Sequence, residues 1–152
     1  MHLLEPKITK INASDAETLN YIIEDEFPYT SFSIEDIKKK LKNKNFFLIK
    51  HHQRNILTGF AETEFFPGKE EARLNAIFVE EAWRGQRIAT QLLKRVIHEA
   101  KRRKGIYKLF LLVKESNKGA KHLYEKLGFE FEKIHNKELD GSRVEVWSMG
   151  IV

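Results

Sequence analysis

Arg84-Gly85-Gln86-Arg87-Ile88-Ala89 is the stretch of this sequence with the clearest chemical content. It joins an apolar run, Leu74 to Val79, to a helical pattern whose Ile88, Leu92, Leu93, Val96, Ile97 and Ala100 form one stripe. A short turn at a helix start leaves about four backbone N–H groups without partners, all at the positive end of the dipole. Gly85 admits a ligand close to the backbone, Ala89 keeps the first turn narrow, and Arg84 and Arg87 add positive charge. The combination suits a diphosphate. The same spacing also fits an ordinary strand-to-helix connection with solvated arginines. Glu62 and Glu64 share one face of an extended segment with Phe60. They are candidates for a general base, or else the solvated side of a half-exposed strand. His51 and His52 are adjacent, so an extended backbone turns them to opposite faces and they do not chelate one metal; no metal site is expected. The absence of cysteine excludes disulfides, thiolate ligands and a cysteine nucleophile.

These groups need a scaffold. The chain has 152 residues, enough for a single domain over residues 1–152 with its own core. Hydrophobic residues make up 41% and charged residues 32%, and no apolar run approaches the roughly 18 residues of a membrane span, so no membrane association is expected. No charged-then-apolar leader with a small-residue cleavage site is present, and a cytoplasmic location is expected. The net charge of +5 suits nucleic acid or a polyanionic small molecule without choosing between them.

Lys7 to Ile11 reads as a first strand, and Asn12 to Asp15 cap a helix through Leu19, Ile22 and Ile23 that ends before Pro28. An aromatic loop from Phe27 to Phe32 follows. Ser33, with Asp36 three residues on, opens a second helix that runs into solvated lysines. Phe46 to Lys50 and Ile56 to Phe66 read as a hairpin joined by a turn from His51 to Asn55. Leu74 to Val79 is apolar at nearly every position, as in a central strand buried on both faces. Lys101 to Lys104 and Gly105 end the next helix, and Lys108 to Val113 is a second buried strand, parallel to the first. Ser116 or Asn117 caps a helix closed by Gly128, and two strands near 129–135 and 144–149 complete the chain. This order predicts a mixed α/β sheet of about seven strands with helices on both faces.

Two motifs carry a resemblance. Val79 to Ala89 resembles the acetyl-CoA signature of the GNAT superfamily of N-acetyltransferases, Gln/Arg-x-x-Gly-x-Gly/Ala after a strand ending in Val. Arg84, Ile88 and Ala89 match, while Arg87 stands where a glycine is usual. Asn117 to Phe129 is similar to the same family's Asn-x-x-Ala-x-x-Leu-Tyr-x-x-x-Gly-Phe pattern throughout.

The resemblance implies that the two central strands splay and that the pantetheine arm of acetyl-CoA lies in the gap. Backbone groups of Ile77, Phe78 and Val79 would pair with it. Arg84 and the amides of Gly85, Gln86, Arg87, Ile88, Ala89 and Thr90 would hold the diphosphate, and Asn117 the cofactor arm. Tyr124 would protonate the leaving thiolate, because a phenol with pKa near 10 keeps its proton at neutral pH. Tyr29 and Phe32 would lie in the acceptor wall. Arg73, Asn75 and Leu112 occupy positions where relatives carry a base and cannot serve as one, which leaves Glu62, Glu64 or water. The expected activity is direct transfer of an acetyl group from acetyl-CoA to a primary amine in a ternary complex, without a metal. The acceptor classes implied are a protein N-terminus, a lysine and a small-molecule amine, and a homodimer is compatible with the family. The alternatives are a sensor that binds CoA thioesters without turnover, and a basic RNA-binding protein built around Lys101 to Lys104.

Overall fold

Asn12 and Ser33 open helical segments by the same device. The Oδ1 of Asn12 accepts the Ser14 N–H at 3.0 Å and Oγ of Ser33 accepts the Asp36 N–H at 3.1 Å. Asp15 and Asp36 return the bond to the backbone N–H of the cap, at 2.9 and 3.0 Å. The computed structural model describes residues 7–26, 33–139 and 141–152. Its elements are β1 (Lys7–Lys10), α1 (Ala16–Glu26), α2 (Ile34–Lys42), β2 (Phe46–Gln53), β3 (Ile56–Phe66), β4 (Glu71–Val79), α3 (Ile88–Arg102), β5 (Lys108–Lys114), α4 (Lys118–Lys126), β6 (Glu130–Leu139) and β7 (Ser142–Gly150). The expected order of helices and strands is the observed one. The strands form one sheet in the order β1-β2-β3-β4-β5-β7-β6, antiparallel throughout except between β4 and β5.

Alternation along the strands sends side chains to two cores. Leu48, Phe60 and Phe78 meet Leu19, Ile23 and Ile37 of α1 and α2 on one face. Phe47, Ile49, Ala61 and Leu111 meet α3 and α4 on the other, where Leu92, Leu93 and Val96 are wholly buried. Burying each of these α3 side chains is worth about 1.5–3 kcal/mol. Among the described residues no helix is long and apolar enough to cross a membrane.

Gly59 sets how closely α3 packs. A Cβ there would lie 2.7 Å from the carbonyl oxygen of Phe78 and 3.3 Å from both Ile88 and Leu92, so backbone would have to move. Gly59→Ala is expected to cost about 1–3 kcal/mol, the usual range for overpacking, seen as a lower urea midpoint at unchanged slope. An unchanged midpoint would show that β4 yields freely.

Two expectations are corrected. The hairpin turn is shorter than His51 to Asn55: β2 runs on to Gln53 and the chain reverses at Arg54 and Asn55, with Arg54 left-handed at φ 57°. The cause is His51, which is buried and whose Nδ1 lies 2.6 Å from Oγ1 of Thr58. The Thr58 hydroxyl donates to the His51 carbonyl at 3.0 Å, so the imidazole supplies the proton on Nδ1. Burial lowers the His51 pKa, opposed by a hydrogen bond that the ring donates to the Gln91 side chain. A depressed folded-state value makes the unfolded chain the better proton binder, so this contribution to stability is full above about pH 6.5 and is lost as pH falls towards the folded value. The urea midpoint should therefore drop on acidification below neutrality, and His51→Gln should flatten that drop. An equal drop in the variant would assign it to other groups.

The second correction concerns Leu74 to Val79, which is not buried on both faces. Ala72, Leu74 and Phe78 are buried, whereas Asn75, Ala76 and Ile77 are only partly covered. β5 pairs with β4 only from Glu71↔Lys108 to Leu74↔Leu111 and then continues beside β7 to Lys114. β4 stays with β3 to Val79. The two parallel strands part, and the uncovered edge of β4 faces the gap.

Candidate active site

The parting has a local cause. Glu62 of β3 pairs with Ala76, and the next residue, Thr63, pairs with Leu74, so Asn75 is an extra residue in β4. Such a bulge bends its strand and sharpens its twist. It sits where β5 stops following. The gap opens into a cavity of about 660 Å³ walled by β3, β4, β5, α4 and β7, with Ile23 of α1 and Lys40 of α2 above it.

Tyr124 stands on the α4 wall. It is buried, its ring lies 5.8 Å from that of Phe129, and among the described residues its hydroxyl makes no hydrogen bond. Gly128, at φ 103°, lets the chain turn so that the Phe129 N–H reaches the Tyr124 carbonyl at 3.0 Å and the two rings meet. Burial pushes the Tyr124 pKa up to about 12, so the phenol is a proton donor across the neutral range. Asn117 lines the same cavity, and its Oδ1 caps α4 by accepting the Ala120 N–H at 3.1 Å. Only its amide hydrogens remain for a ligand.

Glu62 and Glu64 also face the cavity, and neither stands alone. Lys40 Nζ donates to both oxygens of Glu62 at 3.1 Å. Asn75 Nδ2 donates to Glu62 at 2.8 Å and to Glu64 at 3.2 Å. Arg73 donates through Nη2 to Glu64 at 3.3 Å and through Nε to Asn75 Oδ1. Asn75 thus bridges two ion pairs.

Beyond β4 the chain reaches α3 through a left-handed pair of backbone conformations, Gly85 at φ 82° and Arg87 at φ 63°. Arg87 is the N-cap residue of α3 and makes no capping hydrogen bond. The amides of Ile88, Ala89 and Thr90 therefore open a 15-residue helix uncapped, although a cap is worth about 1 kcal/mol. Gly85, Gln86 and Arg87 are exposed, and a Cβ built on Gly85 meets nothing within 4 Å. This is open space in front of unpaired donors. Arg84 is anchored through its Nε, which donates to the Val79 carbonyl at 3.0 Å. Ile88 packs its side chain in the core and offers only backbone.

A family model described as the acetyltransferase (GNAT) family matches residues 11–129. The chain belongs to this family. No curated protein matches the sequence. Among solved structures, the GNAT chain is similar to the ribosomal-protein-S18-alanine N-acetyltransferase from Escherichia coli, at 24% identity over 97% of this chain and 94% of that one, with a TM-score of 0.79. It is similar to the PaiA N-acetyltransferase from Thermoplasma acidophilum in complex with coenzyme A, at 20% identity over 96% and 99%, with a TM-score of 0.77. It also resembles a dodecameric spermidine N-acetyltransferase from Vibrio cholerae, at 18% identity over 95% and 93%, with a TM-score of 0.81.

Within this N-acetyltransferase, the predicted site residues fall in two places. Ile77, Glu62, Glu64, Asn117 and Tyr124 share the cavity, whereas Gly85 to Thr90 form the turn beyond the end of β4. The Phe78 side chain points away, 5.8 Å from the Phe60 ring, and its backbone pairs with Phe60 of β3. Tyr29 and Phe32 lie outside the described residues. Among the described residues no cluster of His, Asp or Glu is placed to hold a metal. Of the basic run at 101–104, Arg102 and Arg103 both bind Glu99, and Arg103 lies 3.8 Å over the Phe65 ring. Sequence reasoning missed Lys40 and considered Arg73 and Asn75 only as positions unable to supply a base, whereas all three line the cavity. The signal available was the polar Arg73 and Asn75 within an otherwise apolar strand.

Proposed function

We propose that this protein transfers the acetyl group of acetyl-CoA to a primary amine by direct attack in a ternary complex. The observation that carries this reading is the gap between β4 and β5, with Tyr124 on one wall and the uncapped start of α3 beyond the end of β4. The amides of Gly85 to Thr90 would hold the diphosphate, with Arg87 beside it. Family members usually place glycine at the position of Arg87. The left-handed backbone there explains the preference, and Arg87 adopts it at a cost of about 1–2 kcal/mol. Uncovered backbone at Ile77, together with the Val79 amide and the Asn117 side-chain amide, would receive the pantetheine arm.

In the reaction the amine nitrogen bonds to the thioester carbonyl carbon and the C–S bond breaks. The amine loses one proton to Glu64 or to water, and the departing sulfur takes the Tyr124 proton, giving an N-acetyl amine and free CoA thiol. Glu62 is held at both oxygens and acts as a fixed charge, whereas Oε2 of Glu64 makes no hydrogen bond among the described residues and has room for a proton. The absence of a stronger base matters least for weakly basic acceptors. An α-amine with pKa near 7.7–8 is neutral in roughly one molecule in ten at pH 7, and a lysine in only about one in a few thousand.

Structural relatives include an enzyme named for an alanine of a ribosomal protein and one named for spermidine, so the fold alone leaves the acceptor open. Mass spectrometry of acetyl-CoA incubated with the protein and a panel of amines tests the reading. Amine-dependent release of CoA with a mass gain of one acetyl group on the acceptor is expected. Tight acetyl-CoA binding without turnover would assign a CoA-thioester sensor instead, and absence of binding would remove both readings.

A further inference from the structure

Charge along the cavity wall points to the kind of amine this site accepts. The wall carries two carboxylates, Glu62 and Glu64, and three cations, Lys40, Arg73 and Lys114, and two ion pairs form among them, Lys40 with Glu62 and Arg73 with Glu64. The two pairs are unequal. Lys40 and Glu62 are closed in, with side chains 15% and 7% exposed, and Glu62 is saturated by Lys40 and Asn75. Arg73 and Glu64 are 37% and 24% exposed and touch through one long contact of 3.3 Å.

Each member of this second pair has capacity to spare. A guanidinium carries five N–H donors. Among the described residues Arg73 uses Nε and Nη2, and Nη1 donates to nothing. Glu64 receives both of its bonds on Oε1, and Oε2 receives none. An open pair of donors and an open acceptor therefore stand side by side on one wall, kept in register by Asn75. A ligand that fills both needs a cation and an anion on one small frame. A polyamine would meet one available carboxylate oxygen on a wall whose cations outnumber its carboxylates.

We propose that the acceptor is a small amphoteric amine, an amino acid or short peptide, whose carboxylate binds Nη1 of Arg73 and whose amine is held at Oε2 of Glu64. This rests on the transferase reading above and adds the substrate class. Arg73 acts as a specificity-determining residue that leaves the reacting atoms alone. Charge-assisted hydrogen bonds of this kind are worth about 1.5–3 kcal/mol, so losing the acid group should cost about tenfold or more in kcat/KM.

The test compares initial rates, with saturating acetyl-CoA and unaltered protein, for a dipeptide, the same dipeptide as its C-terminal amide, a free amino acid and spermidine. The acids should exceed the amide by about tenfold or more, and spermidine should rank below both acids. Arg73→Gln should shrink the acid-to-amide ratio towards one, mainly through KM of the acid, and Arg73→Lys should restore part of it. Acetyl-CoA titration of each variant checks that it is folded; should a variant fail that check, the ratio measured on the unaltered protein decides alone. Equal rates for acid and amide, preference for spermidine, or acetyl-CoA binding without acetylation of either acid would each overturn the acceptor class. Failure to bind acetyl-CoA at all would instead strike the transferase reading beneath it.

Discussion

Tyr124→Phe is expected to lower kcat by about 10² or more while leaving the dissociation constant of acetyl-CoA nearly unchanged. The ring is packed against Phe129 and stays packed in the variant, and the hydroxyl makes no hydrogen bond among the described residues, so its removal breaks nothing in the fold. What is lost is the proton for the thiolate. A loss of 10² in rate corresponds to about 2.7 kcal/mol of transition-state stabilisation. Because burial holds the phenol at about 12, the unaltered enzyme should show no loss of rate from ionisation of this group up to about pH 10. A donor thioester with a more acidic thiol needs the proton less and should narrow the gap between the two proteins. A variant within about twofold of the parent would assign the proton to water and return Tyr124 to a packing role.

The second large effect is expected at Gly85. Its φ of 82° lies where a side chain is strained, yet a Cβ there would touch nothing within 4 Å. The two terms can therefore be separated. Gly85→Ala introduces only the backbone strain, about 1–2 kcal/mol, which is shared between folding and binding. Gly85→Asp adds a negative charge in front of the amides of Ile88, Ala89 and Thr90, where a diphosphate would lie. At about 4 Å and partial exposure, like charges repel by about 1–4 kcal/mol. Calorimetric titration should show acetyl-CoA affinity reduced about tenfold or less in the alanine variant and about 10² or more in the aspartate variant. Their melting temperatures should be similar. If both variants lose affinity equally, the backbone conformation matters and the anion does not lie at this turn.

The bridge at Asn75 connects these expectations to acceptor binding. Its side chain holds Glu62 and Glu64 together from the point where β4 bulges, so the feature that opens the cavity also aligns the charges inside it. The coupling is geometric. A change at Asn75 should disturb the acceptor more than acetyl-CoA, because the amides of α3 lie beyond the end of β4.

What the sequence determined by itself was local. The capping boxes at Asn12 and Ser33, the stripe of α3, the glycines at 85 and 128 and the placement of Tyr124 all depend on residues within a turn or two of one another. Propensity, capping and periodicity act over that range, so the element order and the two motifs were legible. Only the tertiary structure decided which charges meet. Lys40 reaches Glu62 across 22 positions of sequence, and Asn75 bridges two residues of another strand. The extra residue in β4 arises from pairing with β3, and the early departure of β5 from its pairing with β7. His51 looked like half of an exposed turn until Thr58 and Gln91 were found around it. In each case the deciding quantity is a contact between segments distant along the chain. Such contacts are set by how sheet register and helix packing close together, and no residue's neighbours in sequence carry them.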